Sequence, residues 1–240
     1  MLTQEQTQRM AQAVAEIRER MAQAARRAGR DPAEIRLCAA CKTRTVEEVR
    51  ASAALDIDLF GENHVQELVE KTEAGAYCGK EGHFIGHLQT NKVNKVVGRA
   101  ALIQSVDSPR LLDKIEGAAA RLNLTQEILI EVNIGAEAAK SGVDAEGLWP
   151  LLEDAAARPH LRLRGLMAIP PADATPDQTR AFFARMRELL ARAGAQHYDN
   201  ASMDILSMGM SGDYEAAIEE GATIVRIGTA IYGARDYSKH

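Results

Sequence analysis

Lys42 directly follows an apolar run, Ile35 to Cys41, and is a candidate for amine chemistry. If the run is a strand, alternation places Lys42 on the same face as Cys38 and Ala40. Should that face look into a barrel, the amine is partly desolvated and can form a Schiff base with an aldehyde. A lysine that only snorkels from a strand end to water is the alternative interpretation.

Two stretches rich in glycine, serine and threonine point to an anion site. Ser207 to Asp213 (SMGMSGD) leads into a candidate helix, and Arg226 to Thr229 (RIGT) follows the last apolar run. Backbone N–H groups at a helix start favour an anion, and the loops after strands seven and eight of a (β/α)8 barrel often hold phosphate. Either stretch alone is more simply a turn, but the two together predict a phosphate site.

Arg226 lies inside an apolar run, so its guanidinium needs an acceptor. A structural partner such as Glu131 and a ligand ring nitrogen are the two candidates. Further residues are expected in the pocket wall at the ends of the fifth and sixth runs: Glu131, Asn133, Lys140, Ser141 and Met167.

Other polar residues suggest weaker hypotheses. Glu62 and Asn63 follow the second run and are expected at the barrel mouth, although Asn63 is also a candidate helix cap. His83 and His87 are separated by about 13 Å if they lie on a strand at ~3.3 Å per residue, so a metal site is not expected. Cys38 and Cys41 form a C-x-x-C, but on a strand they point to opposite faces, so we expect neither a redox pair nor a metal site.

Eight apolar runs predict the strands that position these residues. They are Ile35–Cys41, Ile57–Gly61, His83–Gly86, Leu102–Val106, Ile128–Ile134, Leu161–Ile169, Asp204–Met208 and Ala222–Gly228. Helix signals separate them, among them Thr45 with Glu48, Asn63 with Gln66, Ser108 before Pro109, and Thr175 with Gln178. Leu88–Val97 and Asp144–Ala157 fill the remaining intervals, and Pro150 leaves the start of the second helix open.

Eight strand–helix alternations in a chain of 240 residues predict one domain, residues 1–240, folded as a single (β/α)8 TIM-type barrel. An open doubly wound sheet is the alternative, but CKTRT stands where its glycine fingerprint would follow the first strand. A long helix is predicted over Thr3–Ala28, with a capping box of Thr3 and Gln6. Only twelve residues follow Gly228, so we expect this helix to cover the last face of the barrel.

The composition narrows the classes of partner. A formal net charge of −5 and an aromatic content of 4% argue against nucleic acid as a partner. Proteins that bind nucleic acid usually carry an excess of basic residues and aromatic side chains that stack on bases. No apolar run approaches the ~18 residues of a membrane span, and the polar start MLTQEQTQRM is not a signal peptide. Three cysteines fit a reducing compartment. We therefore expect a cytoplasmic protein that binds neither nucleic acid nor membrane.

An ordered set of motifs resembles the pyridoxal-phosphate homeostasis proteins, single-domain relatives of the barrel at the N-terminus of alanine racemase. The set comprises CKT at Lys42, FGENHVQE, HFIGHLQTNK, KSGV, LRLRGLMAIP, LSMGMSGDYEAAIEEG and VRIGTAIYG, and it extends from Arg36 to Tyr237. The resemblance implies that the chain binds pyridoxal 5′-phosphate (PLP).

Roles for individual residues follow from the same resemblance. It implies that Lys42 holds PLP as a Schiff base and that Arg226 faces the pyridine nitrogen. Ser211, Gly228 and Thr229 would hold the phosphate. The remaining two residues implied near the ring are Asn63 and Ser207.

The first functional hypothesis is a monomeric protein of PLP homeostasis that buffers the cofactor or delivers it to PLP-dependent apoenzymes, with little or no turnover. Arginine at the ring nitrogen disfavours its protonation, and the second domain that supplies a racemase base is missing. The second hypothesis is a PLP-dependent amino-acid racemase or related enzyme with Lys42 as its base and Lys140 or Tyr232 as a partner. A third is a lysine aldolase that acts on sugar phosphates without a cofactor.

Overall fold

Eight parallel strands close into a barrel in the computed structural model, which describes residues 2–137 and 141–233. Each strand pairs with the next, and the eighth pairs with the first. The strands are β1 (Arg36–Ala40), β2 (Leu59–Glu62), β3 (Glu81–Phe84), β4 (Leu102–Val106), β5 (Gln126–Val132), β6 (Leu161–Ala168), β7 (Ala201–Ser207) and β8 (Ile224–Ile227). The predicted (β/α)8 barrel is confirmed, and the open sheet is wrong.

Helices surround the barrel. They are α1 (Gln4–Arg27), α2 (Val46–Ser52), α3 (Val65–Glu73), α4 (Pro109–Leu122), α5 (Leu148–Ala156), α6 (Pro176–Gly194), α7 (Tyr214–Glu219) and α8 (Thr229–Tyr232). The predicted capping boxes of Thr3, Thr45 and Thr175 are all present. No helix in the described part of the chain is long and apolar enough to cross a membrane.

The long helix α1 covers the last face of the barrel, as predicted. Arg20 and Arg27 pair with Glu215 of α7, and Arg27 Nε also donates to Glu219 at 2.8 Å. Just after α1, Arg30 donates to the carbonyl oxygens of Ile218 and Ala222 at 2.7 and 2.8 Å. This charged contact ties the first helix to the segment between β7 and β8.

Two apolar layers form the core. Inward-facing side chains fill the barrel with Cys38, Leu59, Leu102, Leu129, Met167, Ile205 and Ile224. A larger layer between strands and helices contains the outward-facing residues, including Leu37, Ala39 and Cys41 of the first apolar run. Cys38 and Cys41 therefore lie in different layers, which confirms that they point to opposite faces of the strand.

Two local predictions needed correction, and the start of α5, which the sequence left open, is now defined. Between β3 and β4 the predicted helix is a 3-10 helix over Thr90–Lys95, because valine and asparagine favour α-helix weakly and Gly98 reverses the chain at φ +79°. Asn63 does not cap α3, whose preceding residue is His64. Pro150 is the third residue of α5, where its missing N–H leaves no intrahelical hydrogen bond unmade.

Candidate functional site

A cavity of about 260 Å³ opens at the carboxyl end of the barrel, between β1 and the loops after β7 and β8. Its lining residues are Ala40, Lys42, Arg44, Met210, Ser211, Gly212, Arg226, Gly228 and Thr229. Five of the seven residues predicted for the site, Lys42, Ser211, Arg226, Gly228 and Thr229, are brought together here. Small-molecule sites span roughly 300–1,000 Å³, so the cavity suits a compact ligand.

Lys42 reaches this cavity because β1 alternates. Cys38 faces the barrel interior, and Ala40 and Lys42 line the cavity above it. Lys42 is half-buried, and the next residue, Thr43, adopts a left-handed φ of +65° that turns the chain toward α2. Lys42 therefore lies at the mouth of the barrel, among the residues that line the cavity.

A buried ion pair supports the backbone beside Lys42. Lys71 Nζ donates to Glu62 Oε1 at 2.8 Å and to the carbonyl oxygen of Cys41 at 2.7 Å. Glu67 accepts from the N–H of Thr43 at 2.9 Å. The chain on both sides of Lys42 is thus held by charged side chains.

Glu62 departs from its prediction. It is fully buried on the outer side of β2 rather than at the mouth, and its Oε1 also accepts from Cys41 Sγ and Tyr77 Oη. Burial raises the pKa of Glu62 to about 7, against the opposing effect of the Lys71 ammonium. Sequence reasoning missed Lys71, although its spacing after Val65 and Leu68 continues the buried face of α3.

Arg226 crosses the floor of the cavity. Its Nη1 donates to Ser207 Oγ at 2.6 Å and its Nη2 donates to the carbonyl oxygen of Ala168 at 3.0 Å. The suggested structural partner is wrong, because Glu131 instead accepts from Ser141 Oγ at 2.7 Å. Arg226 is only 4% exposed, and burial lowers its pKa. Two of its five N–H groups have acceptors within the described residues, so the others are available to a ligand.

Polar groups converge from the loops after β7 and β8. Ser211 Oγ accepts a long 3.4 Å hydrogen bond from the N–H of Ala230, which joins the two loops. The N–H groups of Ser211 and Gly212 have no acceptor in the described ranges, and that of Thr229 begins α8 and has none within the helix. These loops can therefore supply several donors to one anion.

Gly228 brings the backbone of β8 close to β1. A Cβ added there would lie 2.9 Å from the carbonyl oxygen of Ala40 and 3.4 Å from its Cβ. A larger residue would crowd the cavity wall beside Lys42. Glycine at this position therefore has a steric reason as well as a place in the cavity lining.

Asn63 and Ser207 do not line the cavity. Asn63 lies at the end of β2, and its Oδ1 is buried without a hydrogen-bond partner among the described residues. Ser207 is fully buried below Arg226 and contacts it directly. Ser207 is therefore placed to orient Arg226 rather than to line the opening.

The other residues predicted for the pocket wall, or as a partner base for a racemase, are placed as follows. Asn133 hydrogen-bonds the backbone of Glu137 in both directions, which closes its own loop. Met167 packs in the barrel interior. Tyr232 is turned away from the cavity, because its hydroxyl is 2.9 Å from Ser52 Oγ on α2. Lys140 lies outside the described residues.

The described residues outside the mouth cavity add no further chemistry to these candidates. A wider groove of about 630 Å³ lies outside the barrel between the 3-10 helix and α4, lined by residues such as Asn94, Arg110 and Lys114. It contains none of the predicted site residues. Within residues 2–137 and 141–233, no group of three or more His, Cys, Asp or Glu side chains is placed to hold a metal ion.

The donor set of the mouth cavity fits a small anionic carbonyl compound. A primary amine, a buried guanidinium with uncommitted N–H groups, and a rim of hydroxyl and backbone donors face the same space. An amine can bind a carbonyl carbon covalently, the rim can hold an oxyanion, and the guanidinium can donate to a ring acceptor.

Similarity to known proteins agrees with this geometry. The family model for the alanine racemase N-terminal domain matches residues 12–236. The pyridoxal phosphate homeostasis protein of Aquifex aeolicus is 45% identical over 219 residues, covering 91% of this chain and 95% of that protein.

Two solved structures are also similar. A protein of unknown function from Bifidobacterium adolescentis has a TM-score of 0.90 at 33% identity, covering 96% of this chain and 97% of that one. PipY of Synechococcus elongatus with PLP bound has a TM-score of 0.81 at 31% identity, covering 93% and 100%. On this evidence the chain belongs to the pyridoxal phosphate homeostasis protein family, within the wider group that shares the alanine racemase N-terminal domain.

Proposed function

We propose that this chain binds PLP in the mouth cavity and serves PLP homeostasis as a buffer or carrier with little or no turnover. The observation that carries the proposal is the convergence of Lys42, Arg226 and the Ser211–Thr229 rim on one cavity. PipY, a relative of similar fold, has been solved with PLP bound.

The residues fit the three ends of the ligand. When bound, PLP supplies an aldehyde for a primary amine and an electron-withdrawing ring. Lys42 would hold the aldehyde end. Ser211, Gly228 and Thr229 would hold the phosphate, with hydroxyl and backbone donors. Asn63, whose Oδ1 has no partner in the described part of the chain, and Ser207 would lie beside or below the ring.

Arg226 supports binding without strong carbanion chemistry. An arginine stays charged and only donates, so it disfavours a proton on a ring nitrogen beside it. Tyr232, considered as a second base for a racemase, has its hydroxyl engaged with Ser52 and away from the cavity. These two features favour binding over the racemase alternative.

The carrier role needs a reachable amine. Lys42 is half-buried rather than enclosed, so an amine from outside can approach the position that it occupies. We infer that the recipients are PLP-dependent apoenzymes and that the protein works in the cytoplasm as a single-domain monomer. Its family membership supports the homeostasis role.

Titration of the purified chain with PLP tests the binding site. We expect a visible absorption band that is lost in Lys42→Ala and kept in Lys95→Ala, a matched change at an exposed lysine. Borohydride reduction followed by mass spectrometry should locate the cofactor on Lys42. Trapping mainly on another lysine would show that the assignment is wrong.

Deuterium incorporation into alanine and other amino acids in heavy water tests the absence of turnover. We expect exchange no faster than with free PLP, with Lys42→Ala as the control for cofactor chemistry in solution. Exchange near the ~10 s⁻¹ median of ordinary enzymes would instead establish the racemase alternative.

A further inference from the structure

A line of hydrogen bonds runs through the barrel from the cavity to the opposite end. Arg226 Nη1 donates to Ser207 Oγ at 2.6 Å, and Ser207 Oγ donates to Gln104 Oε1 at 2.6 Å. Gln104 Nε2 lies 2.9 Å from His83 Nδ1, and His83 Nε2 lies 3.0 Å from Glu81 Oε2. All members of the line except Glu81 are at most 4% exposed, so water does not replace these contacts.

The two ends of the line fix the direction of every bond in it. Arginine has only donors, and the carboxylate of Glu81, whose pKa is lowered to about 2, has only acceptors. Gln104 Nε2 can only donate, so His83 Nδ1 accepts from it and carries no proton. Burial, which lowers the pKa of His83, agrees with a neutral ring. His83 must then carry its proton on Nε2 to face Glu81, and Nδ1 must accept from the amide of Gln104. The Gln104 oxygen is left facing Ser207.

The opposite orientation of the Gln104 amide would be unfavourable toward both His83 and Ser207. If the amide group of Gln104 turned over, its oxygen would face the unprotonated Nδ1 of His83. Ser207 Oγ would then meet donors from both Gln104 and Arg226, and its own proton would lose its acceptor. A buried polar group left without a partner costs about 1–3 kcal/mol, so one proton arrangement dominates.

We propose that Gln104 and His83 are positioning residues for Arg226. Through Gln104 they hold the proton of Ser207 away from Arg226, so that Ser207 always accepts from Nη1. With Nη2 held by the carbonyl oxygen of Ala168, the guanidinium is fixed at two points and its remaining N–H groups stay directed to the cavity. This inference rests on the proposed function, in which Arg226 meets the ring nitrogen of PLP.

The ligand-free protein provides the first test. Nitrogen-15 NMR of histidine-labelled protein should show His83 neutral with its proton on Nε2. Gln104→Met removes both hydrogen bonds of this side chain at similar length, and the His83 Nδ1 signal should shift to that of a nitrogen without a donor. A proton on Nδ1 in the unmodified chain would overturn the inference, whether or not PLP binds.

The second test compares PLP with the analogue in which C–H replaces the ring nitrogen. Gln104→Met should weaken PLP about tenfold and leave the analogue unchanged, because only PLP uses the acceptor that Arg226 serves. Leu129→Met, in the same interior layer but apolar, is the matched control.

The outcomes separate the two proposals. Equal loss of both ligands in Gln104→Met, or no loss of either, would overturn the positioning role while the cavity assignment stands. Failure of the unmodified chain to bind PLP would overturn the proposed function, and the ligand-free spectrum would then decide whether the line of hydrogen bonds has the direction inferred. An unchanged analogue with weakened PLP supports both.

Discussion

The ammonium of Lys71 donates a 2.7 Å hydrogen bond to the carbonyl oxygen of Cys41, the residue that precedes Lys42. Lys71 is 1% exposed, and it is also paired with the buried Glu62. Burying a charged side chain without its counter-ion is costly, so Lys71 and Glu62 each depend on the other. Lys71, which does not line the cavity, therefore fixes the backbone next to Lys42, the proposed ligand-binding lysine.

Lys71→Met should destabilise the protein by about 3–5 kcal/mol, because it leaves Glu62 buried without its cation. Glu62→Leu combined with Lys71→Met should recover much of that loss, since the buried charge is then removed altogether. Urea denaturation of the two single variants and the double variant measures the coupling. Lys95→Met at an exposed lysine is the control, and a loss there as large as in Lys71→Met would contradict the explanation.

Ser211→Ala and Thr229→Val should weaken PLP much more than pyridoxal, which lacks the phosphate. Loss of one charge-assisted hydrogen bond costs about 1.5–3 kcal/mol, or roughly ten- to a hundredfold in affinity. Binding titrations with the two ligands give the comparison. Equal losses for both would refute the assignment of these side chains to the phosphate.

Gly165→Ala should prevent stable folding. Gly165 has φ +149°, and a Cβ there would lie 1.9 Å from the carbonyl oxygen of Ile205 on β7. The strands would have to separate, at a cost beyond the ~4–5 kcal/mol that marks exceptional substitutions. Gly212→Ala, where a Cβ meets nothing within 4 Å, should keep the stability of the unmodified chain in thermal denaturation. A folded Gly165→Ala protein of normal stability would be incompatible with this packing.

Acid should destabilise the folded chain partly through His83 and Glu81. Burial lowers the pKa of His83 below 6.5, against the opposing hydrogen bond and charge of Glu81. The unfolded chain therefore takes up this proton first as the pH falls, and stability decreases below pH 6.5. The hydrogen bond from His83 lowers the pKa of Glu81 from 4.5 to about 2, so its contribution is lost between those values. Urea denaturation at several pH values should show that His83→Gln flattens the stability profile below pH 6.5. A profile as steep as that of the unmodified chain would count against this cause.

Sequence patterns predicted the strands well because their apolar runs alternate with capped helices. They placed Lys42, Ser211, Arg226, Gly228 and Thr229 correctly at one mouth, since strand ends in a closed barrel share an edge. They could not show which partner a buried polar group chooses. Arg226 meets Ser207 rather than Glu131, and Glu62 turns outward to Lys71, because such pairings depend on strand register and on side-chain direction across the barrel.

The cavity lies across the seam where the first strand pairs with the last, with Cys38 opposite Arg226. Lys42 follows β1 and Thr229 follows β8, so the two walls of the site meet only after all eight strands have been made. A nascent chain therefore has no complete cavity until β8 docks beside β1. A ligand that binds only the complete cavity stabilises the closed barrel. Retention of PLP would therefore distinguish the fully folded chain from one in which β8 has not yet paired with β1.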